Sequence, residues 1–404
     1  MICRRSRWLV ALALLAASVP AHALELTGRF SLLGSAGRSL PGDLGYMPGG
    51  NNTLLLDQES LRLMLDDSGQ QSEWSLHVKA FRQNFVRYPA TSLSSSDLFR
   101  SDKLSGYWQN DQMPGHTVRI HYELDRAFYK LRLHHLTFSV GRQPIDWGSG
   151  RFWQPLNVFG AFAPTDLDTD YKPGIDAAVA EWFPSAFSSL TVVYVPAMNR
   201  KLVTQASGAL HYRRQVGGAS ELQLLAGSVL GDRVAGGSFE TDIGGIGWRL
   251  EGRYTTANHG SVFWITGIDY QFEDGTTLTV EWYENSAGAA SEADLARVVN
   301  ERAVRYGLQQ QLGRHVLGVS LNRTMTPLLT GNYLLLASAL KNAAGGISAS
   351  LLHQLSLVYS LSNESDLLFA LMVTTGKGVN VAGVPQSEFG HIPANAMLRY
   401  RLYF

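Results

Sequence analysis

The sequence has little of several things on which soluble multidomain proteins depend. It contains one cysteine, Cys3, and only 17% charged residues, below the roughly 25% of an average soluble protein. Lysine plus arginine equals aspartate plus glutamate, at 34 each, so no global charge favours nucleic acid or an acidic partner. After residue 23, no apolar run approaches the roughly 20 residues of a membrane-spanning helix. These absences exclude a disulfide framework and a helical membrane bundle.

The N-terminal segment predicts export. Three arginines within residues 4–7 precede an apolar run from Trp8 to Val19, and the small-residue motif Ala21-His22-Ala23 follows. This order is typical of a secretory signal peptide, so we predict cleavage after Ala23 and a single mature domain over residues 24–404. A retained membrane anchor is disfavoured because the run is too short to span a bilayer. Cys3 would leave with the signal, and it is not placed for lipid attachment.

The remaining sequence is rich in short segments that alternate apolar and polar residues. The segments Trp264–Phe272 and Leu278–Trp282 flank an Asp274-Gly275 turn, which is a strong hairpin signal. In a bilayer, strands must form a closed barrel with apolar residues outward, because every backbone polar group needs a partner within the protein. Similar alternation recurs at Leu61–Leu65, Trp74–Val78, Leu136–Val140, Trp248–Tyr254, Val304–Leu308, Leu317–Leu321 and Leu355–Tyr359.

A soluble β-sandwich or propeller also has alternating strands, but two features favour a membrane barrel. Aromatic residues fall near the ends of the apolar faces, as interfacial girdles require. Connections alternate between very short turns and long polar loops, which predicts periplasmic turns and extracellular loops. We therefore predict one all-β antiparallel barrel of about 18 strands, with 16 as the competing even number. Leu334–Lys341 is interpreted as a loop, because a strand there would place long connections on both sides.

The last segment predicts where the protein resides. Ala396, Leu398, Tyr400, Leu402 and Phe404 would face outward, and Met397, Arg399, Arg401 and Tyr403 inward. This pattern resembles the C-terminal signal that the outer-membrane assembly machinery recognises, with Tyr400, Leu402 and Phe404 as its elements. A soluble edge strand of this kind would leave an exposed apolar edge, which soluble proteins avoid. We expect the bacterial outer membrane as the location, with lipid and lipopolysaccharide around the barrel and the barrel assembly machinery as a partner during insertion.

A long connection after Leu136–Asp146 is the best candidate for a functional loop. It contains Gly141-Arg142-Gln143, Trp147-Gly148-Ser149-Gly150 and Trp153-Gln154-Pro155, and then an aspartate-rich stretch. Loops of roughly 28 residues without secondary structure are uncommon in compact domains and are often functional. We predict that residues 147–174 fold into the barrel and narrow it.

These motifs resemble porin-like outer-membrane barrels of proteobacteria, a group that includes alginate-export-type channels. The resemblance covers Asp125 to Asp176 well and the hairpins up to Phe404 loosely. It implies a monomeric or weakly oligomeric pore, with Arg142 and the long loop near the constriction. It implies no particular solute.

Charged residues predicted to face the barrel interior or to lie in the loop are the candidate pore residues. Inward basic residues outnumber inward acids, whereas the loop is acidic, and this arrangement favours a transverse field across the pore. The alternative is that the arginines pair with neighbouring carboxylates and merely fill the wall. The candidates are Arg142, Asp146, Arg151, Asp166, Asp168, Asp170, Arg249, Arg253, Arg305, Arg399 and Arg401.

Other chemistry is less favoured by the sequence. The loop aromatics offer stacking faces for sugars, but such clusters are more often the loop's own core. Asp166, Asp168 and Asp170 have the spacing of calcium ligands without the glycine and glutamate that complete such a loop, so no metal is predicted. A rim hydrolase would need His259 with Ser261, while His353 and Ser356 would lie on opposite faces of a strand.

The sequence therefore predicts a channel without cofactor for small polar solutes, anionic ones among them, that is not an enzyme and binds no nucleic acid. An export conduit or assembly component for an extracellular polysaccharide is the alternative, and a rim-located lipid hydrolase is less favoured.

Overall fold

The structure is a computed structural model that describes residues 24–87, 95–197, 203–257 and 260–404. The predicted signal peptide and His259 lie outside the described residues. Nineteen strands form one antiparallel sheet. They are β1 Glu25–Arg38, β2 Thr53–Ser68, β3 Ser72–Val86, β4 Ser105–Met113, β5 His116–Leu133, β6 Leu136–Gln143, β7 Ile175–Ser185, β8 Ser188–Val195, β9 Ser207–Val216, β10 Ser220–Val229, β11 Asp232–Ile243, β12 Ile246–Thr255, β13 Ser261–Gln271, β14 Thr277–Asn285, β15 His315–Thr326, β16 Leu329–Lys341, β17 Ile347–Ser362, β18 Ser365–Thr375 and β19 Asn395–Tyr403.

The sheet closes because β1 pairs with both β2 and β19. Strand β4 is an addition to the closed wall. It pairs with the first half of β5, whereas β6 pairs with the second half of the same edge from Ala127 to Leu133. Eighteen strands therefore close the barrel. Strand β4 lies in line with β6 along the same edge of β5 and is not counted among them. The predicted all-β antiparallel barrel of 18 strands is confirmed.

Side chains alternate across the wall as the sequence predicted. On β12, Leu250 and Tyr254 are 42% and 48% exposed, while Arg249 and Glu251, on either side of Leu250, are 2% and 0% exposed. A wall with apolar residues outside and charged residues inside suits lipid on one side and water on the other.

The last residue, Phe404, extends the pairing of β19 with β1 that closes the barrel. Phe404 exchanges two backbone hydrogen bonds with Gly28, at 2.7 and 3.0 Å. Its ring lies over Gly28, where a Cβ would come within 2.3 Å of the ring. Glycine at position 28 therefore gives the ring room on the outer face.

Connections divide by length between the two ends of the barrel. One end, here called the short-turn end, has tight turns such as 134–135, 186–187 and 363–364. The other, the long-loop end, carries the connections 39–52, 87–104, 144–174, 196–206, 286–314 and 376–394, together with four short ones at 114–115, 230–231, 256–260 and 342–346. In the described part of the chain, no helix has the length and apolarity to cross a bilayer.

Two local predictions are wrong, and they cancel in the strand count. Leu334–Lys341 belongs to strand β16, and Val304–Leu308 is not a strand, because Arg302–Arg305 forms a helical turn in the 286–314 loop. Strand β16 lacks clear alternation because its inward Leu334, Leu336 and Leu340 are buried under loops instead of facing water. Val304 belongs to the 286–314 loop and packs against the same cluster as Leu340.

Candidate functional site

The connection 144–174 leaves the wall after β6 and contacts the interior faces of distant strands. Its residues hydrogen-bond to Arg29 on β1, Glu251 on β12, Glu281 on β14 and Arg401 on β19. We call residues 147–156 the backbone-anchored segment and residues 166–172 the ion-paired segment. The two segments are held against different parts of the wall.

The backbone-anchored segment is held by two buried glutamates. Glu251 accepts hydrogen bonds from the amides of Ser149, Gly150 and Leu156 at 2.5, 3.2 and 2.6 Å. Glu281 accepts hydrogen bonds from the next three amides, those of Arg151, Phe152 and Trp153, at 2.9, 3.1 and 2.9 Å. Charge-assisted bonds of this kind are stronger than neutral ones. The glutamates fix the path of the loop, whatever side chains it carries.

The glycines of the Trp147-Gly148-Ser149-Gly150 motif are required by this path. Gly148 has φ +105°, and a Cβ there would lie 2.7 Å from the Glu251 carboxylate. A Cβ on Gly150 would lie 1.7 Å from the carbonyl oxygen of Trp153. The motif therefore encodes a close approach of the backbone to Glu251 and a tight turn.

The aromatic residues of the loop largely form its core. Trp153 is fully buried against Tyr283, with ring centroids 5.1 Å apart, and Trp147 stacks on His211 at 4.7 Å. Phe159 packs edge-to-face against Trp147. The sequence left two interpretations of the loop aromatics, a stacking surface for sugars and a core of the loop. These three rings form a core.

The ion-paired segment lies against an arginine-rich part of the wall. Arg29 donates two hydrogen bonds to Asp168, at 2.7 and 2.8 Å, and one to Asp170 at 2.9 Å. Asp170 also accepts hydrogen bonds from Arg401 and from the Tyr403 hydroxyl at 2.5 and 2.7 Å. Burial acts to raise the pKa of Asp168, but the contacts with Arg29 outweigh it and hold that pKa below its usual value. The acidic loop and the basic wall thus neutralise each other directly.

Tyr171 lies at the centre of the same cluster. The guanidinium groups of Arg29, Arg62 and Arg126 lie 5.1, 4.2 and 5.9 Å from its ring centroid. An aromatic ring face attracts cations, so Tyr171 helps to hold three like charges together.

Arg142 lies at the base of the loop. It is 2% exposed and bonds Asp176 through Nε and Nη2 at 2.7 and 2.8 Å. Its other bonds go to the carbonyl oxygens of Leu124 and Ser101. Since Arg142 precedes the loop and Asp176 follows it, this pair ties the two ends of the loop together. Every donor nitrogen of Arg142 is engaged by protein.

The other candidate residues have distinct positions. Arg151 is more than half exposed, in the barrel interior, and lies 3.3 Å from Asp269, with which the buried Arg249 also pairs. Asp146 pairs with Lys172. Arg399 donates to the carbonyl oxygen of Leu167 at 2.6 Å, and Arg401 pairs with Asp366 at 3.0 Å.

The prediction for Arg305 is wrong. The sequence predicts that Arg305 faces the pore from a strand, but Arg305 is exposed on the helical turn of the 286–314 loop.

Asp166 makes a different kind of contact from Asp168 and Asp170. It accepts a hydrogen bond from the Ala163 amide at 2.7 Å, which closes a turn within the loop. Burial raises the pKa of its carboxyl group. Across the described ranges no group of three or more histidine, cysteine or acidic residues is arranged to hold a metal ion.

Cavities lie on both sides of the backbone-anchored segment. Towards the short-turn end, cavities of about 480 and 390 Å³ share Arg151, Glu221 and Glu240 in their walls. Towards the long-loop end, cavities of about 280 and 30 Å³ share Val158 and Arg253. The loop is therefore a partition across the barrel interior.

The sequence did not identify the residues that hold the loop. Glu251 and Glu281 are among the acids that alternation places on the inward face, but nothing in a linear pattern indicates that their partners are loop amides 101 and 130 residues away in the chain. The sequence predictions do not include Arg29. Alternation along β1 could have identified it, because Arg29 and Ser31 fall on the inward face while Phe30 between them falls on the outward face.

No protein-family model and no curated protein sequence matches the chain. Solved structures do match. The crystal structure of Acinetobacter baumannii OccAB1 is 8% identical with a TM-score of 0.58, and covers 94% of this chain and 96% of its own. The outer membrane protein opdK from Pseudomonas aeruginosa is 10% identical with a TM-score of 0.53, over 94% of this chain and 99% of its own.

A third solved structure is that of a capsule-assembly protein. Wzi, an outer membrane protein involved in group 1 capsule assembly in Escherichia coli and described as a carbohydrate-binding β-barrel, is 11% identical with a TM-score of 0.56, over 98% of this chain and 87% of its own. At these identities the likeness establishes the fold alone. The chain has the fold of the porin-like outer-membrane β-barrels.

Proposed function

We propose that the protein is an outer-membrane channel for small polar solutes, with residues 144–174 as its constriction. The observation that carries the proposal is a loop folded into a closed barrel, with charged cavities on both of its sides. Cavities of several hundred Å³ are large enough for small solutes. The apolar outer wall and the likeness to outer-membrane porins support the location.

The charges of the interior favour polar solutes over apolar ones. Around the cavities at the short-turn end, Arg151 faces Glu221, Glu240 and Asp269. Most inward arginines are paired, as Arg29, Arg249 and Arg401 illustrate. Of the two interpretations of the inward basic residues, pairing describes these residues better than an unbalanced basic wall. A preference for anions would then depend on cations that lack a partner or that, like Arg151, share one carboxylate with a second arginine.

Single-channel recording in planar bilayers tests the proposal. The purified protein is expected to give discrete current steps in KCl. Arg151→Ala removes an exposed cation at the partition, so the ratio of anion to cation permeability should fall by about two- to five-fold, as a charge near a narrow pore tunes selectivity.

The matched control is Arg323→Ala. Arg323 pairs with Asp274 near the 272–276 turn, on the outward-facing side of β15. Its loss removes the same charge outside the interior and should leave selectivity unchanged. Absence of current steps from correctly folded protein would reject the channel, and equal effects of both variants would reject Arg151 as a constriction residue.

A second candidate is a scaffold or conduit for an extracellular polysaccharide. Three loops at the long-loop end are joined into one surface: the Val379 amide bonds Gly42, the Leu44 amide bonds His391, and Lys377 pairs with Glu292. An ordered outer surface is what carbohydrate binding needs, and Wzi has a similar fold. Binding of an extracellular polysaccharide without any conductance would favour this candidate over the channel.

The residues that the structure describes do not favour a hydrolase. Ser75 and Asp66 both contact Nε2 of His77, and Arg62 faces its Nδ1. A serine nucleophile needs the carboxylate on the other ring nitrogen. His353 and Ser356 lie on opposite faces of β17, as the sequence predicted.

A further inference from the structure

The inward faces of three neighbouring strands, β7 to β9, change character along their length. Towards the short-turn end they carry Glu181, Thr191 and His211, which line the cavity of about 390 Å³. Towards the long-loop end the same faces are apolar and at most 5% exposed: Ile175 and Ala177 on β7, Val193 and Val195 on β8, and Ala209 on β9. Apolar inward positions do not suit a wall that borders water, so another part of the chain must cover them.

The covering segment includes a part of the connection between β3 and β4. Ser95–Phe99 forms a short 3₁₀ helix that packs Leu98 and Phe99 against these inward residues, where each is 2% exposed. The ring of Phe99 meets that of Phe159 edge-to-face, with centroids 5.3 Å apart. The covered part of the wall and the 144–174 loop thus share one apolar cluster with this helix. We call residues 95–101 the plug.

An arginine immediately after the short helix tethers the plug to the wall. Arg100 is 7% exposed. Its guanidinium pairs with Glu123 and, at 3.1 Å, with Asp125 on β5, and its Nε donates to the carbonyl oxygen of Gly174 at 2.5 Å. An arginine buried among such acceptors is held firmly, since its release would leave buried charges unpaired. The tether therefore fixes the plug against the wall and against the end of the 144–174 loop.

The plug and the 144–174 loop share a second attachment. The Ser101 amide donates to Asp176 at 2.6 Å, and the Ser101 carbonyl oxygen accepts a hydrogen bond from Arg142 at 3.1 Å. Arg142 and Asp176 are the pair that ties the two ends of the loop together. One ion pair therefore sets the position of both inward-folded segments.

We propose that residues 95–101 are a second inward-folded element of the channel, which closes the long-loop end of the β7–β9 side and confines solute to the remaining interior. Leu98 and Phe99 exclude water, and Arg100 acts as a positioning residue. The inference rests on the proposed channel, because it assigns a part of its constriction. It also makes a claim that needs no conductance: the inward faces of β7 to β9 stay dry only while the plug is in place.

Cysteine labelling tests the plug, since Cys3 is the single cysteine of the sequence and lies in the predicted signal peptide. Val193→Cys introduces a thiol at a wall position that is 2% exposed. In the full mature chain in detergent, a charged, water-soluble methanethiosulfonate should label this thiol slowly. The double variant Leu98→Ser with Phe99→Ser should accelerate labelling by about 100-fold, because the burial of each large apolar side chain contributes roughly a factor of ten or more to closure.

Two controls separate release of the plug from general unfolding. Leu40→Ser with Val381→Ser removes two exposed apolar side chains from other long loops and should leave labelling of Val193→Cys at the wild-type rate. Leu336→Cys reports a wall position that is buried under other loops, and its labelling should not respond to the plug variant. A wild-type rate for Val193→Cys in the plug variant, or equal acceleration at both cysteines, would overturn the proposal.

Arg100→Met tests the positioning role without removing apolar contact. It keeps Leu98 and Phe99 but removes the tether, so labelling of Val193→Cys should rise by about 10-fold. Arg100→Lys keeps the charge but cannot make the same set of contacts, and its rate should fall between those of wild type and Arg100→Met. Equal rates in wild type and Arg100→Met would reject Arg100 as a positioning residue.

Single-channel conductance separates the plug from the channel. In planar bilayers the variant Leu98→Ser with Phe99→Ser should conduct about two- to three-fold more than wild type, because it adds water-filled cross-section to the pore. Unchanged conductance in a protein that does conduct would overturn the plug as a part of the constriction. Faster labelling of Val193→Cys without current steps from any variant would retain the plug and reject the channel.

Discussion

The backbone-anchored segment and the ion-paired segment belong to one loop, but the wall holds them by different chemistry. In the first, two wall carboxylates bond loop amides, so the loop's own side chains are free to pack or to line cavities. In the second, wall arginines bond loop carboxylates, so the contact depends on charge on both sides. Buried bonds to backbone resist salt, whereas partly exposed ion pairs are screened by it. We therefore expect the contacts of the first segment to resist salt and those of the second to respond to it.

Loss of a glutamate anchor should give the largest effect. Glu251→Ala would leave buried amides of Ser149, Gly150 and Leu156 without an acceptor, at roughly 1–3 kcal/mol for each donor. We expect amide hydrogen exchange across residues 147–156 to accelerate by at least about 100-fold. Mass spectrometry of exchange in detergent measures this effect.

The control for that experiment is Glu240→Ala. Glu240 also lines the cavities at the short-turn end, but it forms no ion pair or side-chain hydrogen bond within the described part of the chain. Its loss should leave the exchange of residues 147–156 at the wild-type rate. If Glu251→Ala and Glu240→Ala behave alike, the anchoring role of Glu251 is wrong.

The same contrast explains how far the sequence could predict the site. Alternation predicted the barrel and placed Arg249, Arg399 and Arg401 inside it, because burial repeats with the period of the strand. It failed at β16, where Leu334 and Leu336 face inward onto a loop and the polar half of the pattern is lost. Packing of loops against β16 makes its inward positions apolar, so its sequence no longer alternates.

Partners across the barrel interior were beyond the reach of the sequence. Arg142 could be singled out by its motif, but its bond to Asp176 follows from where the two strands begin and end. Glu251 and Ser149 are brought together only by closure of the barrel and by the fold of the loop. Pairings set by three-dimensional closure leave no local periodicity to read.

Salt should change amide exchange in one segment and not in the other, and this change should be smaller than that caused by the loss of Glu251. Raising KCl from 0.1 to 1 M shortens the screening length from about 10 to about 3 Å. Exchange of the amides in residues 166–172 should then rise by about three- to ten-fold, with no change across residues 149–156. In a double variant, Asp168→Asn with Asp170→Asn, exchange of residues 166–172 should already be fast and should no longer respond to salt. An equal response of both segments in wild type would remove the distinction between them.

A pH change should have the smallest effect on amide exchange. It should act at Glu388, outside both segments of the loop. Burial raises the pKa of Glu388 to about 7, even though the amides of Leu312 and Gly313 donate to its carboxylate. The carboxyl group of Glu388 is harder to ionise in the folded protein than in the unfolded chain, so its ionisation destabilises the folded contact. Its contribution to stability is full below about pH 4.5 and is lost as pH rises towards 7.

Protection of the Leu312 and Gly313 amides, corrected for intrinsic exchange, should fall a few-fold between pH 5 and 8. Glu388→Gln keeps an acceptor but does not titrate, so its protection should stay level. The contacts of Asp168 and Asp170 should not respond over this range, because burial is outweighed by their arginine and tyrosine partners and the pKa of each carboxyl group lies below its usual value. A response at residues 168–170 instead of 312–313 would contradict this assignment of the titrating group.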